Sequence, residues 1–252
     1  MTRIAGDYDY ETGGGTYDTY RRADPRIGAV VHRALGDAAT VLNVGAGAGS
    51  YEPADRVVVA VEPSAAMRAK RTSDAPVVDA VAEALPFGDD SFDAAMAIAT
   101  VHQWPDLDAG LRELRRVARG PVAVLTFDPE VIVTAWFAEY APDIATADGR
   151  RMPAPEEIAA RLGGRTEISA VAIPLDCTDG FVEAYYGRPE RLLEEPVRRA
   201  QSGWAFLPDG AEARAVARLA TDLVDGTWDQ RHGHLRTRPW HEGSLRLVIS
   251  RP

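Results

Sequence analysis

The feature that most constrains this chain is a short apolar run that leads into a glycine-alanine repeat. Residues 41–50 read VLNVGAGAGS. Glycine is required where the backbone adopts unusual angles or lies against a ligand. In open α/β sheets, ligands bind beyond the carboxyl ends of the strands. The motif therefore predicts a buried strand that ends at a ligand site; the alternative is a turn that is merely flexible.

Further apolar runs follow at intervals typical of alternating strands and helices. Strands that are apolar on both faces suit a parallel sheet covered by helices. The pattern predicts an α/β fold with a doubly wound, Rossmann-like, mostly parallel sheet and an antiparallel last strand. The expected strands are 41–44, 57–61, 76–79, 92–98, 121–127, 166–174 and 245–250, and the expected helices are 64–71, 106–118, 130–140 and 154–162.

Four segments divide the predicted chain. Residues 1–35 form an N-terminal tail and helix, in which Pro25 breaks or restarts the helical pattern. Residues 36–175 form the core sheet, and residues 243–252 return as its last strand. Residues 176–242 form a helical insertion, here called the lid segment, that folds over the sheet edge.

An acid at the end of the second strand narrows the choice of ligand. Glu62 follows the run VVVAV, where a carboxylate can accept hydrogen bonds from both hydroxyls of a ribose; the alternative is a solvated acid that caps the next helix. Residues 45–56, with Pro53 among them, have room for about one helical turn. An NAD(P) enzyme needs a helix N-terminus there to bind a pyrophosphate. The spacing therefore favours a nucleoside without pyrophosphate.

These motifs resemble the class I S-adenosylmethionine-dependent methyltransferases, particularly the ubiquinone-pathway-like, methyltransferase type 11 branch. VLNVGAGAGSY is similar to the first motif of that family, VVVAVEPSAAM to its second and DAVAEALPFGDDSFDAAMA to its third region. The resemblance covers about residues 38–128. One departure is Asn43, which stands where the family usually has Asp.

The resemblance implies S-adenosyl-L-methionine as cofactor and S-adenosyl-L-homocysteine as product. It implies that Glu62 binds the ribose and that Met67 lies near the adenine. The full predicted cofactor set is Gly45, Ala46, Gly47, Glu62, Pro63, Met67, Ala82, Glu83, Ala99 and Thr100.

The loop after the fourth strand is expected to face both cofactor and acceptor. His102 is the predicted catalytic residue, since an imidazole can take a proton near neutral pH. Gln103 and Trp104 are predicted to orient the acceptor and to line its pocket. The alternatives are a structural histidine and simple core packing of the tryptophan. Alignment alone can supply much of the acceleration, so a base is helpful but not obligatory.

The lid segment combines aromatic residues with arginines. Aromatics with a few polar groups suit a small-molecule pocket. Because paired arginines bind carboxylates or phosphates, the acceptor could be an anionic compound from secondary metabolism. The alternative is that the aromatics pack the lid and the arginines solvate it. No metal is predicted. The predicted acceptor residues are Tyr20, Gln103, Trp104, Phe181, Glu183, Tyr185 and Arg188.

Charge and composition exclude several partners. The 252 residues carry a net charge of −10, which disfavours a nucleic-acid substrate. No apolar run reaches about 18 residues, so no membrane span is predicted, and a cytoplasmic location is expected. Two alternatives to a methyltransferase remain at this point: a cofactor-binding module without transfer activity and an NAD(P)-dependent oxidoreductase. The sequence does not indicate an oligomeric state.

Overall fold

The computed structural model describes residues 17–252 and contains nine strands within them. The predicted tail at 1–15 lies outside the described residues. The strands are β1 Thr40–Val44, β2 Val57–Val61, β3 Val77–Val78, β4 Ala94–Ile98, β5 Val122–Phe127, β6 Arg165–Ala170, β7 Ile173–Pro174, β8 Trp240–His241 and β9 Leu245–Arg251.

Seven of these strands form one sheet in the order β3-β2-β1-β4-β5-β9-β6. The first five strands along the chain pair in parallel. Strand β9 inserts antiparallel between β5 and β6. The order reverses between β1 and β4, which is the position where open α/β sheets bind ligands. The predicted fold class, including the antiparallel last strand, is confirmed.

Ten α-helices accompany the strands in the described residues. Asp24 caps the second helix through the Arg26 N–H, and Pro25 occupies its first turn, so Pro25 restarts the N-terminal helical pattern as predicted. The helices are α1 Tyr17–Tyr20, α2 Pro25–Ala34, α3 Ala65–Ala69, α4 Leu107–Val117, α5 Pro129–Ile132, α6 Pro142–Arg151, α7 Pro155–Leu162, α8 Glu195–Arg199, α9 Ala211–Val224 and α10 Thr227–His232.

Helices cover both faces of the central strands. Val41 and Leu42 are neighbours in β1, so their side chains point to opposite faces of the sheet. Val41 packs in the same cluster as Ile27 of α2. Leu42 packs in another cluster with Leu111 of α4 and Ile158 of α7. This burial on both sides explains why the central strands are apolar throughout.

Two expected elements differ from the structure, and one helix before the lid segment was not expected. The predicted helix 130–140 is α5 followed by a 3₁₀ turn at Trp136–Glu139, because the Thr134 hydroxyl bonds the Val131 carbonyl where the first helix ends. The predicted strand 166–174 is split into β6 and β7, since the chain leaves the main sheet after Val171 and pairs with β8. Helix α6 was not predicted; it buries only Ile144 and Ala145, which is too little for a clear apolar stripe.

The lid segment lies between β7 and β9 in the chain and contains α8, α9, α10 and several 3₁₀ turns. It packs against the connection that follows β5. Trp136 and Trp228 meet edge to face with ring centroids 5.8 Å apart, and the Tyr140 hydroxyl donates to Asp222 at 3.0 Å. The cover of the sheet edge therefore has two parts, the lid segment and residues 129–151. The boundaries of the four segments remain predictions.

No helix within residues 17–252 combines the length and the hydropathy that crossing a bilayer requires. The same part of the chain has no group of three or more His, Cys, Asp or Glu side chains arranged to hold a metal ion.

Candidate cofactor and acceptor site

The glycine loop turns sharply at the carboxyl end of β1. Gly45 and Gly47 have φ of 67° and 52°, a backbone region that residues with a Cβ rarely adopt. A Cβ on Gly45 would lie 2.2 Å from Oγ1 of Thr100 in the loop after β4. The backbone N–H groups of Gly45 and Ala46 both donate to the Val61 carbonyl, at 2.9 and 3.0 Å. Only glycine at position 45 lets the two strand ends approach this closely.

No helix follows this loop, since residues 45–56 contain only turns. The prediction of a linker too short for a crossover helix is confirmed, and the helix N-terminus that a pyrophosphate needs is missing there. The Arg71 guanidinium holds the loop instead: it donates to both carboxylate oxygens of Glu52 at 2.8 Å and to the Gly47 carbonyl at 3.4 Å. The side chains of Arg71 and Glu52 are 3% and 6% exposed.

Asn43 belongs to the same network. Its Nδ2 donates to Glu52 Oε1 at 3.0 Å. Its Oδ1 is buried and accepts no hydrogen bond in the described part of the chain. Asn43 lines the cavity beside the glycine loop, so this amide oxygen is available to a donor group of a bound ligand. Position 43 therefore offers this cavity an amide oxygen in place of the family's carboxylate.

Glu62 lies at the end of β2 with its carboxylate against the glycine loop. Oε2 accepts from the Gly47 N–H and Oε1 from the Ser64 N–H, both at 2.8 Å. Burial raises the pKa of Glu62, and these backbone donors act against that rise. Each carboxylate oxygen can accept a second hydrogen bond. Glu62 is therefore placed to bind two hydroxyls while it fixes the loop.

A cavity of about 350 Å³, here called the glycine-loop cavity, opens between the ends of β1, β2 and β4. All ten residues predicted to bind the cofactor line it. Its other lining residues are Asn43, Ala48, Ser50, Ala80, Val81, Ile98, Gln103, Trp104 and Pro105. A nucleoside with an amino-acid tail fits this lining: a carboxylate for a ribose, apolar walls for a base, and glycines and an amide oxygen for the tail.

A second cavity of about 120 Å³, here called the lid cavity, lies under the lid segment. Ser50, Ile98, Ala99 and Gln103 line both cavities, so the two spaces meet at the carboxyl end of β4. Apolar and polar residues line the lid cavity in similar numbers. The apolar part consists of Ile98, Phe127, Ile132, Phe137, Ile144, Met152, Phe181, Val182 and Trp204.

The loop after β4 reaches both spaces because Ala99 takes a left-handed φ of 51° and a 3₁₀ turn follows at Val101–Gln103. His102 lines the lid cavity, and its Nε2 lies 3.4 Å from Nε2 of Gln103. Trp104 lines only the glycine-loop cavity; its ring packs on Gly110, where a Cβ would come within 2.4 Å. Trp104 therefore belongs with the predicted cofactor residues by position.

The other residues predicted to bind the acceptor separate into two groups. Phe181 and Glu183 line the lid cavity, whereas Tyr20, Tyr185 and Arg188 line neither cavity. The prediction placed Phe181, Tyr185 and Arg188 on one face of an α-helix. The structure has a 3₁₀ turn at Val182–Tyr185, which breaks that spacing.

The three residues outside the cavities have structural contacts. Arg188 donates to the carbonyls of Cys177 and Ala184. The Tyr185 hydroxyl packs against Gly180, where an added Cβ would come within 2.3 Å of it. Burial raises the pKa of this hydroxyl. Tyr20 contributes its backbone carbonyl, which accepts from the Gly180 N–H at 2.8 Å.

The lid arginines do not form an anion site. None of them lines either cavity, and most pair with acids of the surrounding helices. The pairs are Arg191 with Glu194, Arg198 with Glu212, Arg199 with Glu195, Arg231 with Glu139, and Arg236 with Asp229 and Glu190.

One hydrogen-bonded group of three polar residues in the lid cavity was not predicted. The Tyr51 hydroxyl donates to Asp179 Oδ2 at 2.9 Å, and Arg21 Nε donates to Asp179 Oδ1 at 2.5 Å. Burial raises the pKa of Tyr51, and the nearby Asp179 charge adds to that rise. Tyr51 follows the glycine motif directly, which is a usable signal. Asp179 lies 128 positions further along, and nothing in the local sequence points to it.

The sheet order matches the fold of the class I S-adenosylmethionine-dependent methyltransferases, and comparison with known proteins agrees. Residues 42–124 match a family described as "Methyltransferase domain". The chain is a methyltransferase that uses S-adenosyl-L-methionine.

Solved structures extend the similarity beyond the domain. A putative methyltransferase from an antibiotic biosynthesis pathway of Anabaena variabilis is 27% identical, with a TM-score of 0.85 over 92% of this chain and 98% of that one. A Thermotoga maritima methyltransferase, described as a possible histamine N-methyltransferase, is 16% identical with a TM-score of 0.53, over 96% and 91% of the two chains.

The cyclase SpnF is 17% identical with a TM-score of 0.53, over 90% of this chain and 80% of that one. At these identities, the Thermotoga protein and the cyclase share the fold alone. No curated protein matches the sequence.

Proposed function

We propose that this methyltransferase transfers the methyl group to a small organic acceptor that binds in the lid cavity. The observation that carries the proposal is the shared wall of the two cavities at Ser50, Ile98, Ala99 and Gln103. A ligand in the glycine-loop cavity and one in the lid cavity meet there. When bound, S-adenosyl-L-methionine supplies an electrophilic methyl group on a sulfonium.

The glycine-loop cavity provides the binding groups for the cofactor. We assign the ribose to the carboxylate of Glu62 and the amino-acid portion to the backbone of Gly45–Gly47. Met67 and Ala82 form apolar walls for the adenine. These assignments follow from the position of each group around one cavity and from the free lone pairs on Glu62.

The lid cavity provides orientation and a place that excludes bulk water. Its aromatic and aliphatic walls are proposed to hold the acceptor body. Gln103 lines both cavities, and His102 lines the lid cavity. His102 is proposed to take the proton that the acceptor atom loses when its new bond to carbon forms. Alignment at the junction supplies the remaining acceleration.

The acceptor is proposed to be a metabolite rather than a nucleic acid. The lid cavity has a volume of only about 120 Å³, and the net charge of −10 repels phosphate backbones. Similarity to the Anabaena protein, whose description names antibiotic biosynthesis, supports an acceptor from secondary metabolism.

The test is release of S-adenosyl-L-homocysteine, measured by mass spectrometry, when the protein is incubated with the cofactor and a library of small secondary metabolites. Methylated product from at least one library member is expected. Binding of the cofactor without any turnover would instead support a cofactor-binding module, and absence of cofactor binding would refute the site itself.

A further inference from the structure

The charged groups around the lid cavity are mostly acidic. Asp148, Asp179 and Glu183 line it, and in the described residues Arg21 is the one arginine or lysine in the lining. Two of these carboxylates have an arginine partner: Asp179 pairs with Arg21 at 2.5 Å, and Asp148 pairs with Arg151 at 3.0 Å. The excess of negative charge in a low-dielectric wall repels anions and attracts cations.

Glu183 is the carboxylate whose charge is not balanced. It is 2% exposed. Its Oε2 accepts from the backbone N–H and the hydroxyl of Ser244, at 2.8 and 2.6 Å. Its Oε1 is buried and accepts no hydrogen bond within residues 17–252. The one basic side chain near it in this part of the chain is His241, with Nε2 at 3.8 Å, and this ring is charged only when protonated.

The backbone fixes this carboxylate in place. Glu183 belongs to the 3₁₀ turn Val182–Tyr185, and Gly243 lies against its head group. A Cβ on Gly243 would come within 2.3 Å of both Cδ and Oε1 of Glu183. The side chain therefore has little freedom to turn away and find solvent. A buried carboxylate with an unused oxygen is costly unless a cation or donor joins it.

The geometry points to an acceptor that carries a protonated amine, with Glu183 as the residue that balances its charge. This inference rests on the proposed function, because it takes the lid cavity as the acceptor site. In this arrangement the apolar lining holds the body of the acceptor and the ammonium group lies near Glu183. The amine is a recognition group, and the methylated atom is identified separately from the product.

The lid cavity also argues against an anionic acceptor. The arginines that suggested such an acceptor pair with acids elsewhere, and the one arginine in the cavity lining is already paired with Asp179. A carboxylate or phosphate group in the cavity would meet Glu183 without a free partner. Like charges at short distance disfavour binding, so the cavity selects by repulsion as well as attraction.

The experiment compares three probes with one apolar body and different head groups: phenethylamine, phenethyl alcohol and 3-phenylpropionate. Each is titrated calorimetrically at pH 7.5 into the full chain saturated with S-adenosyl-L-homocysteine. The amine is expected to bind about tenfold or more tighter than the alcohol, as for hydrogen bonds to a charged group, and the carboxylate weakest. Equal binding of amine and alcohol, tightest binding of the carboxylate, or binding of none of the three overturns the inference.

Two variants locate the effect. Glu183→Gln keeps the shape of the side chain and an acceptor for Ser244, but removes the charge, so the preference for the amine should vanish. Glu167→Gln removes a charge from an exposed position on β6 and should leave the preference intact. Urea unfolding shows whether both variants remain folded. An amine preference that survives in folded Glu183→Gln refutes the role of Glu183, and the comparison of probes on the unmodified protein does not depend on any variant.

Failure of this inference is distinguishable from failure of the proposed function. Methyl transfer to an acceptor without an amine would refute the inference and leave the proposed function standing. An amine preference without release of S-adenosyl-L-homocysteine from any acceptor would refute transfer and leave the cation site standing.

Discussion

Replacement of Glu62 separates the two tasks that the structure gives to this carboxylate. It accepts the Gly47 N–H and the Ser64 N–H, both at 2.8 Å, and so ties the glycine loop to the start of α3. It is also the group proposed to bind both ribose hydroxyls. Glu62→Ala removes all of these bonds, whereas Glu62→Gln keeps the size of the side chain and one acceptor oxygen.

The expected magnitudes follow from the number of bonds. Two backbone N–H groups lose their partner in Glu62→Ala, but the adjoining cavity admits water to them, so we expect the free energy of unfolding to fall by about 2 kcal/mol. The ribose bonds are made only when the cofactor is present. Their loss should weaken binding of S-adenosyl-L-homocysteine by about 1.5–3 kcal/mol, which is about 10- to 150-fold.

The assay pairs urea unfolding of the free protein with calorimetric titration of S-adenosyl-L-homocysteine. Asp93→Asn is the matched control. Asp93 also accepts backbone N–H groups, from Ala39 and Thr40 at 3.1 and 2.8 Å, but at the opposite end of the sheet. The control should lose stability and keep its affinity. An unchanged dissociation constant in folded Glu62→Ala, or an equal loss of affinity in Asp93→Asn, would refute the ribose assignment.

Three further outcomes are expected. Gly45→Ala should lower the free energy of unfolding by about 2–4 kcal/mol and weaken cofactor binding, because the added Cβ would collide with Thr100. Gly36→Ala is the control, since Gly36 has a φ of 59° but open space around it, so that only backbone strain is added. In urea unfolding, Gly36→Ala should lose less stability than Gly45→Ala. His102→Ala should lower single-turnover methyl transfer by about 10²–10⁴-fold with little change in cofactor affinity, and a near-normal rate would leave His102 as part of the pocket wall. Burial raises the pKa of Asp24, but the Arg26 guanidinium and backbone donors outweigh it and lower the pKa from 3.8 to about 2. The ionised carboxylate therefore adds about 2 kcal/mol to the free energy of unfolding above pH 4, and this contribution is lost as the pH falls through 2. A constant difference in unfolding free energy between the protein and Asp24→Asn across that range would contradict it.

The sequence determined the sheet and the cofactor side of the site. Strands that are buried on both faces must be apolar at every position, and the glycine-rich turn must lie where β1 ends. Both features depend only on neighbouring residues, so they can be predicted from the sequence. Gly45, Gly47 and Glu62 accordingly line one cavity, and the short linker contains no crossover helix. The role of Asn43 could not be predicted, because it depends on the hydrogen bond that its side chain donates to Glu52.

The acceptor side was decided by the tertiary structure. Whether Glu183 or Arg188 faces the cavity depends on a 3₁₀ turn, which has three residues per turn. The local sequence does not distinguish this turn from an α-helix. The pairing of Tyr51 with Asp179 joins residues 128 positions apart. The sequence also does not indicate whether an arginine pairs with an acidic residue of a neighbouring helix or with a ligand. Partners of that kind are set by which segments pack together, because contacts between distant segments form only once the whole chain has folded.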